Sequence, residues 1–298
     1  MTGRTGPREA VAIEKALRYF PGTPRGLPTL PPLMREPPSP RTVRNLVQFI
    51  RSGLGCAQEQ FFKGYAVGLS GGVDSATCLA LVKAAVGRTR TKGVIVDLGL
   101  NGHAEQSRTG REVAALLGVG CVVIRNRSVY PGFLGASARR GPFSEINAVT
   151  RAIHGLVFQF ADSRQWGVVS TLDRSEELLS RHLELFYGHV APLGRFYKTE
   201  VMRIAELVGV PRAVISREPG CVEAWLDREV FGVGYDVLDP LLFQMVERRM
   251  TPEQVFRRFG GDLRWLRAIQ RRLDQARWRM STRVPLPPRG THTNGEAA

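Results

Sequence analysis

Cysteine is sparse in this 298-residue chain: four residues, Cys56, Cys78, Cys121 and Cys221, with no Cys-x-x-Cys pair. That spacing argues against a zinc site and a disulfide framework and fits a reducing, cytoplasmic compartment. Cys78 and Cys121 fall in apolar segments and are expected in the core. No apolar run reaches the ~20 residues that a membrane span requires. The first residues carry a basic side chain but no apolar stretch after it, so no secretory leader is expected. Lysine is also scarce. The 42 Lys and Arg, set against 27 acidic residues, leave a formal charge of +15. The arginines are scattered, with concentrations at 248–249, 257–258 and 264–279, and no RNA-binding module accompanies them. Nucleic acid is therefore not expected as a partner, and the charge suits a polyanionic substrate. Two phosphate-binding signatures are missing as well: no Gly-Lys-Ser/Thr and no Gly-x-Gly-x-x-Gly.

What is present is the run Tyr65-Ala66-Val67-Gly68-Leu69-Ser70-Gly71-Gly72-Val73-Asp74-Ser75. It reads as a short buried strand, a Ser-Gly-Gly turn and a helix start. Two glycines permit close backbone approach to a ligand. The amides of Gly71, Gly72 and Val73 at a helix N-terminus favour an anion. Ser70 and Ser75 add hydroxyl donors, and Asp74 offers a carboxylate for Mg²⁺. The motif resembles the pyrophosphate loop of the ATP pyrophosphatases, which split ATP between the α and β phosphates to adenylate an oxygen.

Residues 8–20 suit a short helix, and the proline-rich stretch 21–40 reads as an extended arm or a disordered linker. The end, 284–298, is polar and rich in Pro and Gly, and is expected to be loose. Between these ends, over 41–283, strands and helices alternate. Helices are expected over 42–52, 75–86, 105–117, 146–160 and 176–184, and strands over 66–69, 93–98, 121–124 and 168–171. Nearly all-apolar strands in this rhythm imply an α/β fold: a parallel sheet with helices on both faces, followed from Lys198 by a mostly helical part. Ligands in such sheets bind beyond the carboxyl ends of the strands, where the Ser-Gly-Gly loop would lie.

A second candidate site is Val168-Val169-Ser170-Thr171-Leu172-Asp173-Arg174-Ser175-Glu176. Thr171 and Glu176 would emerge at the same sheet edge as the loop, and Glu176 could complete a Mg²⁺ site with Asp74. The same residues also suit a capped helix, with Asp173 as N-cap and Glu176 three positions on. A third is Pro192-Leu193-Gly194 with Lys198-Thr199. Lysine opposes the dipole at a helix start, which points either to a nearby anion such as a triphosphate or to a solvated side chain.

Together these pieces resemble the NAD synthetase family over residues 41–239. The resemblance rests on 69–75, on Asn147-Ala148-Val149-Thr150-Arg151, on Thr171 with Ser175-Glu176, on 192–199, and on Gly232, Tyr235 and Leu238-Asp239. It implies an adenine nucleotide alpha hydrolase-like fold. Gly68, Leu69, Ser70, Gly71, Gly72, Val73, Asp74, Ser75, Thr171 and Lys198 would bind ATP, with Asp74 and Lys198 the catalytic pair. Asp74 and Glu176 would hold Mg²⁺, and Arg151 would face deamido-NAD. The implied reaction adenylates the carboxylate of deamido-NAD, and ammonia, free or from a separate glutaminase, then displaces AMP. Family members form homodimers. Several positions depart from the pattern. Lys-Tyr-Gly-Asp reads Phe186-Tyr187-Gly188-His189, the following segment is shortened, and the usual Pro-Ser/Thr-Ala reads Pro219-Gly220-Cys221. The C-terminal His-Lys-Arg is at best Arg277-Trp278-Arg279. These departures keep two alternatives open: amidation of another carboxylate, and a basic tRNA-modifying ATP pyrophosphatase.

Overall fold

The computed structural model describes residues 22–33, 35–53, 62–100, 102–136, 144–179, 187–221 and 225–281. The expected helix over 8–20, the tail 284–298 and Phe186 lie outside them. Helix α1 (Pro40–Ser52) starts at Ser39, whose backbone N–H donates to the Thr42 hydroxyl, with Pro40 as its first residue. Strand β1 (Tyr65–Gly68) leads through the Ser-Gly-Gly turn into α2 (Val73–Val86). There follow β2 (Thr91–Asp97), α3 (His103–Leu116), β3 (Cys121–Arg125), α4 (Val129–Gly135), α5 (Ser144–Asp162), β4 (Gly167–Val169) and α6 (Arg174–Leu179).

The four strands are parallel in the order β3-β2-β1-β4. The chain moves outward from β1 to β2 and β3, then crosses back to place β4 on the other side of β1. The strand order therefore reverses between β1 and β4, which is where open parallel sheets hold their ligands. Alternation along β1 sends Val67 to one face and Ala66 to the other. The first packs with α1, α2, α3 and the later α7, the second with α5. This is the expected sheet with helices on both faces. Helix α2 is buried over most of its length, only Lys83 and Ala84 being exposed, with Leu79 and Leu81 fully covered. Burying such a leucine stabilises by about 1.5–3 kcal/mol. Cys78 lies in this core and Cys121 is half-buried, as their apolar settings suggested.

The second half contains α7 (Lys198–Leu207), α8 (Arg212–Ile215), a two-stranded hairpin of β5 (Gly220–Cys221) and β6 (Trp225–Leu226), α9 (Asp227–Phe231) and α10 (Tyr235–Leu242). A π turn over Phe243–Glu247 then leads to α11 (Pro252–Phe259) and α12 (Leu263–Ser281). The part is mostly helical, as expected; the hairpin was not foreseen, since strands of two residues carry no readable period. Helices α6 and α9–α12 share their own apolar core around Phe231, Leu238 and Leu266.

The described part of the proline-rich stretch is extended but not loose. The Thr29 amide donates to the Phe259 carbonyl at 2.8 Å, and the Arg25 amide to Asp262 Oδ2 at 3.0 Å. Leu30 and Leu33 pack on the helical core, and Arg35 lies 3.6 Å from Glu200 on α7. Of the two readings of this stretch, its described residues follow the extended arm, laid on the body as a strap, and not the disordered linker. Proline has no amide to satisfy and a preset φ, so a Pro-rich segment can lie on a surface at little entropic cost. Among the described residues no helix is long and apolar enough to cross a membrane.

Candidate active site

The carboxyl ends of β1 and β4 deliver the site. Leu69 is buried and its amide still bonds to Val94, so the turn proper is Ser70-Gly71-Gly72. Gly71 has φ 85°, and a Cβ there would lie 2.5 Å from Thr109 Cγ2 on α3, so only glycine fits. Gly72 caps α2, leaving the first-turn amides free of intrahelical acceptors. Ser70 accepts the Gly72 amide at 3.3 Å. Ser75, expected to face a ligand, is buried and donates to the Gly72 carbonyl at 3.0 Å; it shapes the turn from inside. Gly68 ends β1 beneath the Tyr187 hydroxyl, and Val73 is buried.

Lys198 opens α7 and is 1% exposed. Its Nζ lies 2.7 Å from Asp74 Oδ2, 2.8 Å from Asp173 Oδ2 and 3.2 Å from Glu176 Oε1. The ammonium thus sits among three carboxylates; the Asp173 contact lies off a hydrogen-bond axis and is an ion pair. The anion that the sequence demanded near Lys198 is here protein carboxylate. Burial alone would pull Lys198 down, but Asp173, Asp74 and Glu176 reverse this and hold its ammonium well above the usual range. Burial pushes Asp74 and Asp173 upward, opposed by Lys198 and reinforced by Glu176.

Glu176 takes the capped-helix arrangement and also reaches the charged cluster. Its amide donates to Asp173 Oδ1 at 2.8 Å and its Oε2 accepts the Asp173 amide at 3.4 Å, a capping box, while Oε1 faces Nζ. Asp173, read only as a cap, is fully buried in the charged cluster. Asp239 anchors the arrangement. It accepts from the Ser175 hydroxyl at 2.7 Å and from the Thr199 amide and hydroxyl at 2.8 Å each, and Ser175 accepts the Lys198 amide at 3.1 Å. The starts of α6 and α7 are thereby tied to α10. Tyr235 places its ring 5.5 Å from Nζ and donates to Asp227. In sequence, Asp239 and Tyr235 are visible only as the end of a motif.

Thr171 is half-buried on the turn leaving β4. Arg151 is exposed on α5, across the sheet from α2, so the fold does not bring it into the charged cluster. Tyr187 stacks on His154 at 3.7 Å, and His189 Nδ1 accepts the Val168 amide at 2.9 Å; the altered 187–189 segment supports the edge of β4. The side chains of Arg277 and Arg279 lie outside the described set.

The donor set suits a hard divalent cation. It is oxygen only, carries three carboxylates against one ammonium, and leaves Asp74 Oδ1 buried without a hydrogen-bond partner. No group of three or more ligands stands ready to cage a metal among the described residues. Mg²⁺ takes one or two carboxylates and completes its shell with phosphate oxygens and water.

The NAD synthase family matches residues 42–282, the whole span from α1 to the end of α12. The chain belongs to the NAD synthase family. It is thereby an ATP-dependent amide-forming ligase, and the tRNA-modifying alternative is not favoured. A curated relative, the NH(3)-dependent NAD(+) synthetase of Thermococcus sibiricus, is 31% identical over 229 residues, covering 75% of this chain and 88% of that one. That of Pyrococcus horikoshii is 28% identical, covering 83% and 94%. Among solved structures, the NMN synthetase of Francisella tularensis superposes with a TM-score of 0.68 at 18% identity, covering 84% of this chain and 99% of that one. The NH3-dependent NAD synthetase of Campylobacter jejuni gives 0.64 at 20%, covering 80% and 95%. At these identities the structural likenesses establish the fold.

Proposed function

We propose that this chain converts deamido-NAD to NAD, using ATP, Mg²⁺ and ammonia, in the cytoplasm and as a homodimer. The observation that carries the reading is the meeting of Asp74, Asp173, Glu176 and Lys198 at the point where the strand order reverses, beside a glycine turn whose amides open a helix. A carboxylate oxygen of the substrate attacks the α-phosphorus of ATP and pyrophosphate leaves. Ammonia then attacks the acyl carbon and AMP leaves with the oxygen it acquired.

Asp74 and Glu176 hold the Mg²⁺. When bound, the ion neutralises charge on the departing pyrophosphate. The α2 amides and the Ser-Gly-Gly backbone bind phosphate oxygens through preset dipoles, which need no reorganisation during the reaction. Lys198 sets the spacing of Asp74 and Glu176, and Asp239 holds Lys198 at its helix start. Thr171 contacts the nucleotide, and Arg151 faces the dinucleotide from α5.

The test is product stoichiometry from ATP, ammonium and deamido-NAD. The expected result is one NAD, one AMP and one pyrophosphate per turnover, abolished by chelating Mg²⁺. NAD formation with ADP and phosphate as co-products, or none at all, contradicts the reading.

A further inference from the structure

Arg217 reaches the Ser-Gly-Gly turn and takes no part in the charged cluster around Lys198. Its Nη1 donates to the Gly71 carbonyl at 3.2 Å, across 146 positions of sequence. This is the hydrogen bond its guanidinium makes among the described residues. A guanidinium has five N–H donors in a planar fork, so others remain for a ligand.

The Arg217 side chain is exposed, and the backbone that carries it is anchored. Helix α8 is anchored by Val214, 2% exposed, in the same core as α2 and α7. The Arg217 amide closes onto the Val214 carbonyl at 3.2 Å. The acidic group on the neighbouring α3, Glu105, is engaged by the Arg108 guanidinium through both of its oxygens. Arg217 adds a longer-range attraction to Glu105 without forming an ion pair with it among the described residues.

The turn is approached from two sides. Lys198, Asp173 and Glu176 reach it from the β4 side, where carboxylates outnumber the ammonium. Gly71 touches Thr109 on α3, toward β2, and there Arg217 enters. A triphosphate lying on the α2 amides needs a cation bridge on the carboxylate side and a direct donor on the other. Lys198 lies on the carboxylate side, its ammonium held among Asp74, Asp173 and Glu176.

We infer that Arg217 is a phosphate-contacting residue, its guanidinium fork binding the pyrophosphate end of ATP against the Gly71 turn. This rests on the proposed ATP site but not on the identity of the acyl substrate. A planar fork matches two phosphate oxygens, which an ammonium does not.

The experiment is equilibrium binding by calorimetry of inorganic pyrophosphate and of AMP, each with Mg²⁺, to the full chain and to Arg217→Ala and Arg217→Lys. The expected result is pyrophosphate affinity weakened about 10- to 100-fold in Arg217→Ala and partly restored in Arg217→Lys. AMP affinity and the melting temperature stay unchanged. Pyrophosphate binding unaltered in Arg217→Ala, or an equal loss for AMP, overturns the inference, the second by showing a structural tether. A wild-type chain that binds pyrophosphate through Arg217 yet makes no NAD separates the two claims: the inference stands and the proposed substrate falls. A wild-type chain that binds neither ATP nor pyrophosphate overturns both.

Discussion

A single ammonium holds three carboxylates in this molecule, and removing it exposes what it neutralises. Lys198→Met should cost about 3–5 kcal/mol in denaturant unfolding, because buried charges lose their partner. Adding Asp173→Asn should recover part of that loss, and strict additivity of the two changes would show that the pair does not interact. Asp74→Asn and Glu176→Gln remove like charge from a crowded site. They should abolish turnover without lowering the melting temperature, and normal turnover at limiting Mg²⁺ would reduce Glu176 to a helix cap. Asp239 titrates differently. Burial raises its carboxyl from 3.8 to about 6 against the pull of its Ser175 and Thr199 bonds. The folded chain keeps this proton to higher pH than the unfolded one, so unfolding between pH 4 and 6 releases it. Its contribution to stability falls as pH rises through that window, by roughly 3 kcal/mol at most, and is flat above it. Melting curves of wild type and Asp239→Asn should therefore diverge from pH 4 to 6, wild type losing ground, and parallel curves would contradict the assignment. At this scale Asp74 was legible because its neighbours in sequence are its neighbours in space: strand, glycine turn and helix start lie within eleven consecutive residues, 65–75. Asp173 was legible only as a cap, since local spacing cannot show a lysine 25 positions away. Arg217 was not legible at all: one among 42 basic residues, it gains meaning only when α8 is packed beside α2.

The parallel strands and helices α2, α3 and α5 between them followed from local pattern, because the strands are apolar over their own length and the helices carry apolar residues at helical spacing; the short α4 was not expected. The strap over 22–40 did not, because its burial depends on a surface made 200 residues later. Gly232 marks the contact. It has φ 77°, and a Cβ there would lie 2.2 Å from the Gly22 carbonyl oxygen. Gly232→Ala should destabilise the full chain by about 1–3 kcal/mol through strain and collision. In a chain lacking residues 1–38 the collision is gone, so the same substitution should cost less. Deleting 1–38 should itself lower the melting temperature, since Leu30 and Leu33 leave the α10–α12 core uncovered. Equal costs of Gly232→Ala in the two backgrounds would show that the strap does not bear on that turn.

Across the whole molecule, a formal charge of +15 surrounds a site whose own carboxylates outnumber its lysine. Such a net charge should draw polyanions toward the chain, and the local acidity should favour phosphate accompanied by a divalent cation. The kcat/KM for ATP should fall with ionic strength, most steeply below about 0.15 M, where the Debye length is near 8 Å. The strand reversal between β1 and β4 sets the proposed ATP turn and the charged cluster side by side. That the chain activates a carboxylate by adenylation is the centre of the account, and oxygen transfer reports it directly. Deamido-NAD labelled with ¹⁸O in its carboxylate, turned over with ATP, Mg²⁺ and ammonium, should deliver one labelled oxygen to AMP per NAD formed, read by mass spectrometry. Unlabelled AMP, or label appearing in inorganic phosphate, would contradict it.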